Sequence, residues 1–241
     1  MTDYIAVAPH KRVSGVERPG TRKRDRSGKL VEFTYDWRAP RGDDRNTRRI
    51  VPAFTTAPLV DALAVHYDTD AHLVTYYVVG HDGRPLERQP RVNKSALDWI
   101  MGEGYAVECG VLFCDVDHPG HGTWTPARVD AFEQLWHSAD VLATAGCYFT
   151  AHGYRLLQLL DEPVSVADVE PMLDTWLAEL TAAGIDADPH CRDWTRLYRL
   201  PHVIRAGAAY ESPRVDLSRM SPRLIPKLRP GAPGAGGRLA A

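Results

Sequence analysis

The sequence predicts an α+β fold, and three observations carry that reading. The N-terminal half is rich in β-forming runs, and residues 105–205 follow a β–α–β–α–α order. In addition, one strongly apolar strand in that region ends in acidic residues, and a second strand follows one helix later. That order brings residues from neighbouring strand ends close together. At 241 residues the chain has room for one substantial domain, or for one domain with a small appendage. Three parts are expected: a basic, loosely ordered arm at 1–31, the folded domain at 32–212, and a flexible Pro/Gly-rich tail at 213–241.

The elements follow from local pattern. Residues 1–31 are polar and rich in turn formers, which predicts extended or loose chain. Residues 30–37 alternate enough for a first strand, and 40–46 form a charged loop. The apolar stretch 58–64 fits either state. Residues 72–79 (HLVTYYVV) are dominated by β-branched and aromatic side chains and predict a strand. Gly80-His81-Asp82-Gly83 reads as a turn, with a partner strand reached by Leu86.

Ser95 is placed to cap a short helix through Met101, stopped by Gly102 and Gly104. Residues 107–114 are a nearly continuous apolar run, as expected of a buried central strand. Thr125 and Pro126 open a helix with Val129, Phe132, Leu135 and Trp136 on one face. A strand is predicted at 154–159. Ser165 then opens a helix in which Val169, Met172, Leu173, Trp176, Leu177 and Leu180 recur at helical spacing, and Gly184 ends it. Met172 and Trp176 read as core. A third helix is predicted from Asp193 to just before Pro201.

Composition narrows the function classes. The net charge is −2, so no global basic field draws nucleic acid to the chain. Cations do gather in the arm, where Lys11, Arg12, Arg18, Arg22, Lys23, Arg24, Arg26 and Lys29 face only Glu17 and Asp25. A solvated arm and a phosphate-contacting arm both fit this cluster. No apolar stretch spans a bilayer, and Asp3 interrupts any signal-peptide core. Cys109, Cys114, Cys147 and Cys191 are scattered without CxxC pairs, which predicts buried, reduced thiols in a cytoplasmic protein.

The most informative segment is 111–120 (VLFCDVDHPG). In an extended chain residues i and i+2 point the same way, so Asp115 and Asp117 project together from the strand end. Two adjacent carboxylates repel unless a cation lies between them, and Mg²⁺ or Mn²⁺ prefers such hard oxygen ligands. A polar strand exit with one Asp capping a turn is the plainer alternative. As a metal site the pair suits two-metal phosphoryl or nucleotidyl transfer, which calls for a third carboxylate and for cations facing the phosphates. His118 and His121 (HPGH) read as a turn residue near the site and a surface residue. Their spacing fits no zinc pattern, and no structural zinc is expected.

These residues resemble motif I of the archaeo-eukaryotic primase superfamily, an acidic pair after an apolar strand. Thr150-Ala151-His152 resembles its motif II, and residues 188–201 (DPHCRDWTRLYRLP) resemble motif III, an Asp followed by R-x-x-R-L-P. The three occur in the family's order, and the resemblance covers residues 105–205. It implies a primase-polymerase catalytic domain, with an RRM-like antiparallel sheet flanked by helices and an N-terminal αβ unit. It also implies template-directed joining of nucleoside triphosphates on single-stranded DNA.

By the same resemblance Asp188 joins Asp115 and Asp117 as a metal ligand, with Asp186 the poorer alternative. Arg196 and Arg199 meet phosphates from one helix face, and Arg205 lies near the nucleotide. The resemblance further implies that Thr150 and His152 bind the incoming triphosphate. A shifted register puts Arg155 in the histidine's place, and the chemistry leaves that choice open. Asp193 reads as a helix cap.

No G-x-x-x-x-G-K-(S/T) is present, so a helicase partner would be a separate chain. The resemblance suggests a mobile-element setting. Two alternatives stay open: a replication-initiator or DNA-binding module with an altered primase fold, and a metal-dependent nuclease or phosphohydrolase. For the latter, the haloacid-dehalogenase-like DxDx(T/V) pattern fails at Pro119.

Overall fold

The computed structural model describes residues 4–8, 23–24, 30–31, 52–92, 94–205, 208–212 and 214–227. In chain order the first elements are β1 (Tyr4–Ala8), β2 (Lys23–Arg24), β3 (Leu30–Val31), β4 (Pro52–Pro58) and α1 (Leu59–Ala64). They continue with β5 (His72–Val74), β6 (Tyr76–Val79), β7 (Arg88–Pro90), α2 (Lys94–Gly102) and β8 (Ala106–Asp117). After α3 (Pro126–Ser138) come β9 (Ala145–Thr150), β10 (Gly153–Ser165) and α4 (Val166–Ala182). The last are β11 (Tyr198–Arg199), β12 (His202–Arg205), β13 (Ala208–Glu211) and β14 (Val215–Asp216).

The fold is α+β, with two five-stranded antiparallel sheets ordered β11-β5-β1-β4-β7 and β14-β9-β10-β8-β6. The run 72–79 is not one strand. It bends at the buried Thr75, so β5 enters the first sheet and β6 the second. Gln89 on β7 ties the sheets together across that bend. Its Oε1 accepts from Val78 N at 2.6 Å, and its Nε2 donates to Val78 O, Leu86 O and Thr56 Oγ1. A fully buried amide is tolerable only when its hydrogen-bonding capacity is met in this way.

β8 is buried from Cys109 through Val116 because both of its faces are covered, which explains its unbroken apolar run. α4 lays Val169, Met172, Leu173, Trp176, Leu177 and Leu180 into the core. Loss of the fully buried Trp176 side chain would cost about 3–5 kcal/mol. Ser165 caps α4, Thr125 caps α3 and Gly184 (φ 80°) follows the α4 end, all as their residue types predict. The stretch 58–64 resolves into α1, and α2 begins at Lys94, one residue before the expected cap Ser95.

Three expectations are corrected. The helix from Asp193 does not form: Pro189–Arg192 is a 3-10 turn and Tyr198–Arg199 is a strand paired with β5. Asp193 instead accepts from Thr195 N and Oγ1, a local turn that competes with helix. The N-terminal arm is not all loose. β1 sits at the centre of the first sheet between β4 and β5, with Ile5 and Ala6 buried. In the tail, residues 214–227 are folded onto the domain, with β14 on β9 and Ile225 buried. The strand expected at 30–37 is seen at Leu30–Val31. Its remainder, the 40–46 loop, most of the basic cluster and residues 228–241 lie outside the described residues. No helix among the described residues is long and apolar enough to cross a membrane.

Candidate functional site

Asp115 and Asp117 lie two residues apart at the end of β8, on the face that also carries Phe113. Antiparallel register sets Asp115 opposite Arg155 and Asp117 opposite Gly153 on β10, and Arg155 opposite Tyr148 on β9. Cross-strand partners share a face, so the acids, Arg155 and Tyr148 form one polar patch. Glycine is required at 153, since a Cβ there would meet Val116 O at 2.0 Å. The ladder is extended by His118 N, which donates to His152 O at 2.7 Å.

Arg155 is the centre of the buried part. Its Nε donates to Asp115 Oδ1, and its Nη1 donates to Tyr148 Oη at 3.0 Å and to the Arg199 carbonyl. Side-chain exposure is only 12% for Arg155 and 11% for Asp115, so water does little to screen the pair. Burial opposes the Arg155 charge, but Tyr148 and Asp115 outweigh it and hold the guanidinium protonated.

Arg196 supplies the second contact. Its Nη2 donates to Asp115 Oδ2 at 2.9 Å and its Nη1 to Asp188 Oδ2 at 2.7 Å, so one guanidinium joins the two carboxylates. Asp188 reaches this place because its backbone N–H donates to Asp115 O at 2.8 Å, and its Oδ1 caps the 3-10 turn through His190 N. Partial burial would raise the Asp188 carboxyl, but the His190 N–H and Arg196 override it and hold it below the usual carboxylate range. Cys191 lies beneath, its Sγ accepting from Asp115 N, and burial pushes its thiol up to about 11. Tyr198 closes the floor, donating to Phe113 O and standing 5.5 Å from Arg155 and 5.7 Å from Arg196.

The other expected residues are placed differently. Arg196 and Arg199 do not share a helix face. Arg199, on β11, turns to Asp70 with Nε–Oδ1 2.6 Å and Nη2–Oδ2 3.2 Å. Arg205 ends β12 and makes no contact with Asp115 or Asp188, although its charge helps to lower the Asp70 carboxyl. Thr150 and His152 flank the β9–β10 turn, with His152 N 3.4 Å from Thr150 Oγ1. The buried His152 Nδ1 and His118 Nε2 have no hydrogen-bond partner among the described residues. His121 stands beside Asp117, 3.5 Å from Oδ2, and Asp186 is exposed.

Sequence reasoning missed Tyr148, Tyr198, Cys191, Asp70 and His72. Nothing in the chain marks Asp70 or Tyr148. Tyr198 lies inside the R-L-Y-R segment, between the two arginines that carry the motif. An open cleft of about 660 Å³ between α3 and β14, lined by Trp124, Phe149 and Arg214, contains none of the expected site residues.

Asp115, Asp117 and Asp188 offer the carboxylate oxygens that a hard divalent cation prefers, but their ligand atoms do not all lie within 4.8 Å of one another. Asp117 is the most accessible, at 46% side-chain exposure. The inner oxygens of Asp115 and Asp188 are held by Arg196, so a cation binding both must displace that guanidinium.

No protein-family model and no curated protein sequence matches the chain. Among solved structures, the chain has a weak likeness to the AEP domain of the cyanophage S-2L primase-polymerase (PrimPol). The TM-score is 0.31 and the identity 13%, over 57% of this chain and 77% of that one.

Proposed function

We propose that this chain is a metal-dependent nucleotidyltransferase of the primase-polymerase kind, joining nucleoside triphosphates on a single-stranded DNA template. The observation that supports it is the meeting of Asp115 and Asp188 on one guanidinium, with Asp117 one side-chain repeat along the same strand face. Asp115 and Asp188 are two of the acids that the motif resemblance names, and they meet from parts of the chain far apart in sequence.

Asp115, Asp117 and Asp188 would hold the divalent cations. When bound, these supply charge neutralisation for the triphosphate and activate the attacking hydroxyl. Arg196 is the cation poised to exchange its carboxylates for phosphate oxygens, which suit its planar fork. His152, with an unpartnered ring nitrogen beside the Asp117 end of β8, is the better candidate for a triphosphate contact. Arg155 is already committed to Asp115, Tyr148 and the Arg199 carbonyl, which favours a structural role for it.

A second reading rests on a specific observation. Both oxygens of Asp115 are paired with arginines, as expected of a replication-initiator or DNA-binding module whose acidic site has become structural.

One experiment separates the two. The protein is incubated with primed and unprimed single-stranded DNA, labelled nucleotides and Mg²⁺ or Mn²⁺. Extension that Asp117→Asn abolishes supports the polymerase reading. DNA binding without turnover supports the module, and shortening of the template indicates a nuclease.

A further inference from the structure

A second cluster of metal-ligating side chains lies outside the acidic site, on the β12–β13 hairpin. His202 and Glu211 are direct cross-strand partners there and so share a face. His66, just past the α1 end, is held over them by its own segment. Tyr67 N donates to His202 O at 2.9 Å, Ile204 N donates to Thr69 O at 3.0 Å, and Tyr67 Oη donates to Ala62 O at 3.1 Å. The His66 and His202 rings stack at 4.5 Å, 5° from parallel. Each presents Nδ1 at 3.0 Å from a different oxygen of Glu211.

We infer that His66, His202 and Glu211 form a binding site for a divalent transition metal of the zinc class. Ligand atoms of the three lie within 4.8 Å of one another, so small side-chain rotations bring them onto one ion. Two imidazoles and one carboxylate are a nitrogen-rich donor set that suits zinc, cobalt or nickel, whereas magnesium prefers oxygen alone. The chemistry therefore sorts metals between this site and the all-carboxylate one. Binding requires each ligating Nδ1 to be free of its proton. The ring proton then resides on Nε2, and any second proton is released to water. Three protein ligands leave a coordination position open to solvent.

Ligation here would join three stretches of chain: the α1–β5 connection, β12 and β13. The same connection carries Asp70, and β12 begins three residues after Arg199, so the ion would brace the Asp70–Arg199 pair. This site and its occupancy do not depend on the nucleotidyltransferase reading.

The test uses the full chain stripped of metal and titrated with Zn²⁺ by calorimetry, and with Co²⁺ by visible absorption. One ion per chain is expected, with a raised thermal midpoint. His66 and Glu211 are 67% and 57% exposed, so His66→Ala and Glu211→Gln should leave the metal-free fold intact. Each should weaken binding by about ten-fold or more, since loss of even an outer-sphere partner has that effect. Asp117→Asn and His121→Ala should leave binding unchanged. Absence of zinc binding, or binding that survives both His66→Ala and Glu211→Gln, overturns the proposal. So does binding that is lost through Asp117→Asn or His121→Ala.

Discussion

Arg155 and Asp115 face each other as registered partners in the β8–β10 ladder, and the Arg155 Nε donates into the carboxylate from a nearly dry environment. Arg155 is also bound by Tyr148 and the Arg199 carbonyl, so the pair joins β8, β9, β10 and β11. The first acid of the D-x-D pair is thus both a candidate ligand and a member of the core. Its neighbour Asp117 is only the former.

That difference separates two substitutions. Asp115→Ala leaves a buried guanidinium short of its partner and should cost about 3 kcal/mol or more. Asp117→Asn, at an exposed position, should change stability by less than about 0.5 kcal/mol. Both should abolish primer extension. Urea unfolding measured beside the extension assay checks the split, and equal stability losses would contradict it.

Arg155→Met and His152→Ala should part in the same way. The first should lower the thermal midpoint by several degrees. The second should leave it in place and weaken nucleoside triphosphate binding, read by fluorescence titration. An Arg155→Met protein of unchanged midpoint would return Arg155 to the nucleotide site.

Gly153→Ala should destabilise the fold by about 1–3 kcal/mol, because the added methyl forces β10 away from Val116 O. Asp117 is opposite Gly153, so the same change should reduce extension. Hydrogen exchange along β8 and β10 would report the local loosening.

Arg196→Ala releases the Asp115 and Asp188 oxygens that the guanidinium now holds. Without nucleotide, this variant should bind Mn²⁺ more tightly than the parent, and with nucleotide it should extend primers poorly. Titration followed by electron paramagnetic resonance measures the first effect. Weaker Mn²⁺ binding in the variant would show that Arg196 does not compete for those oxygens.

Stability should fall as pH drops from about 6.5 to about 4, through His72. Burial, the largest influence, depresses its imidazole to about 4, despite the Asp70 carbonyl at 2.8 Å and the Asp70 charge; Arg199 and Arg155 add to the depression. The unfolded chain binds this proton at an ordinary imidazole pKa near 6.5. Stability from the neutral ring is therefore complete above that value and lost toward the folded pKa. Asp70 and Asp188, both depressed, extend the loss below about pH 4. His72→Gln should flatten the upper part of the profile of thermal midpoint against pH.

Local pattern determined much of this protein. The β8 strand, the two capped helices α3 and α4, their core faces and the placement of Asp115 and Asp117 on one strand face follow from periodicity and capping alone. The choice of Asp188 over Asp186 came from motif resemblance instead, and Asp188 N donates to Asp115 O. The R-L-Y-R segment is not the helix that its local pattern predicts. Its propensities permit a helix, but Asp193 folds back on Thr195 and Tyr198–Arg199 pairs with β5, a partner remote in sequence. The bend at Thr75, the central position of β1 and the ordering of residues 214–227 were hidden for the same reason. Strand pairing is a relation between distant segments, and no local window contains both. The partners of the arginines are likewise decided only by the tertiary structure. Arg155, Arg196 and Arg199 are chemically identical in the sequence, and the carboxylate each one meets (Asp115; Asp115 with Asp188; Asp70) is decided by sheet register and chain crossing.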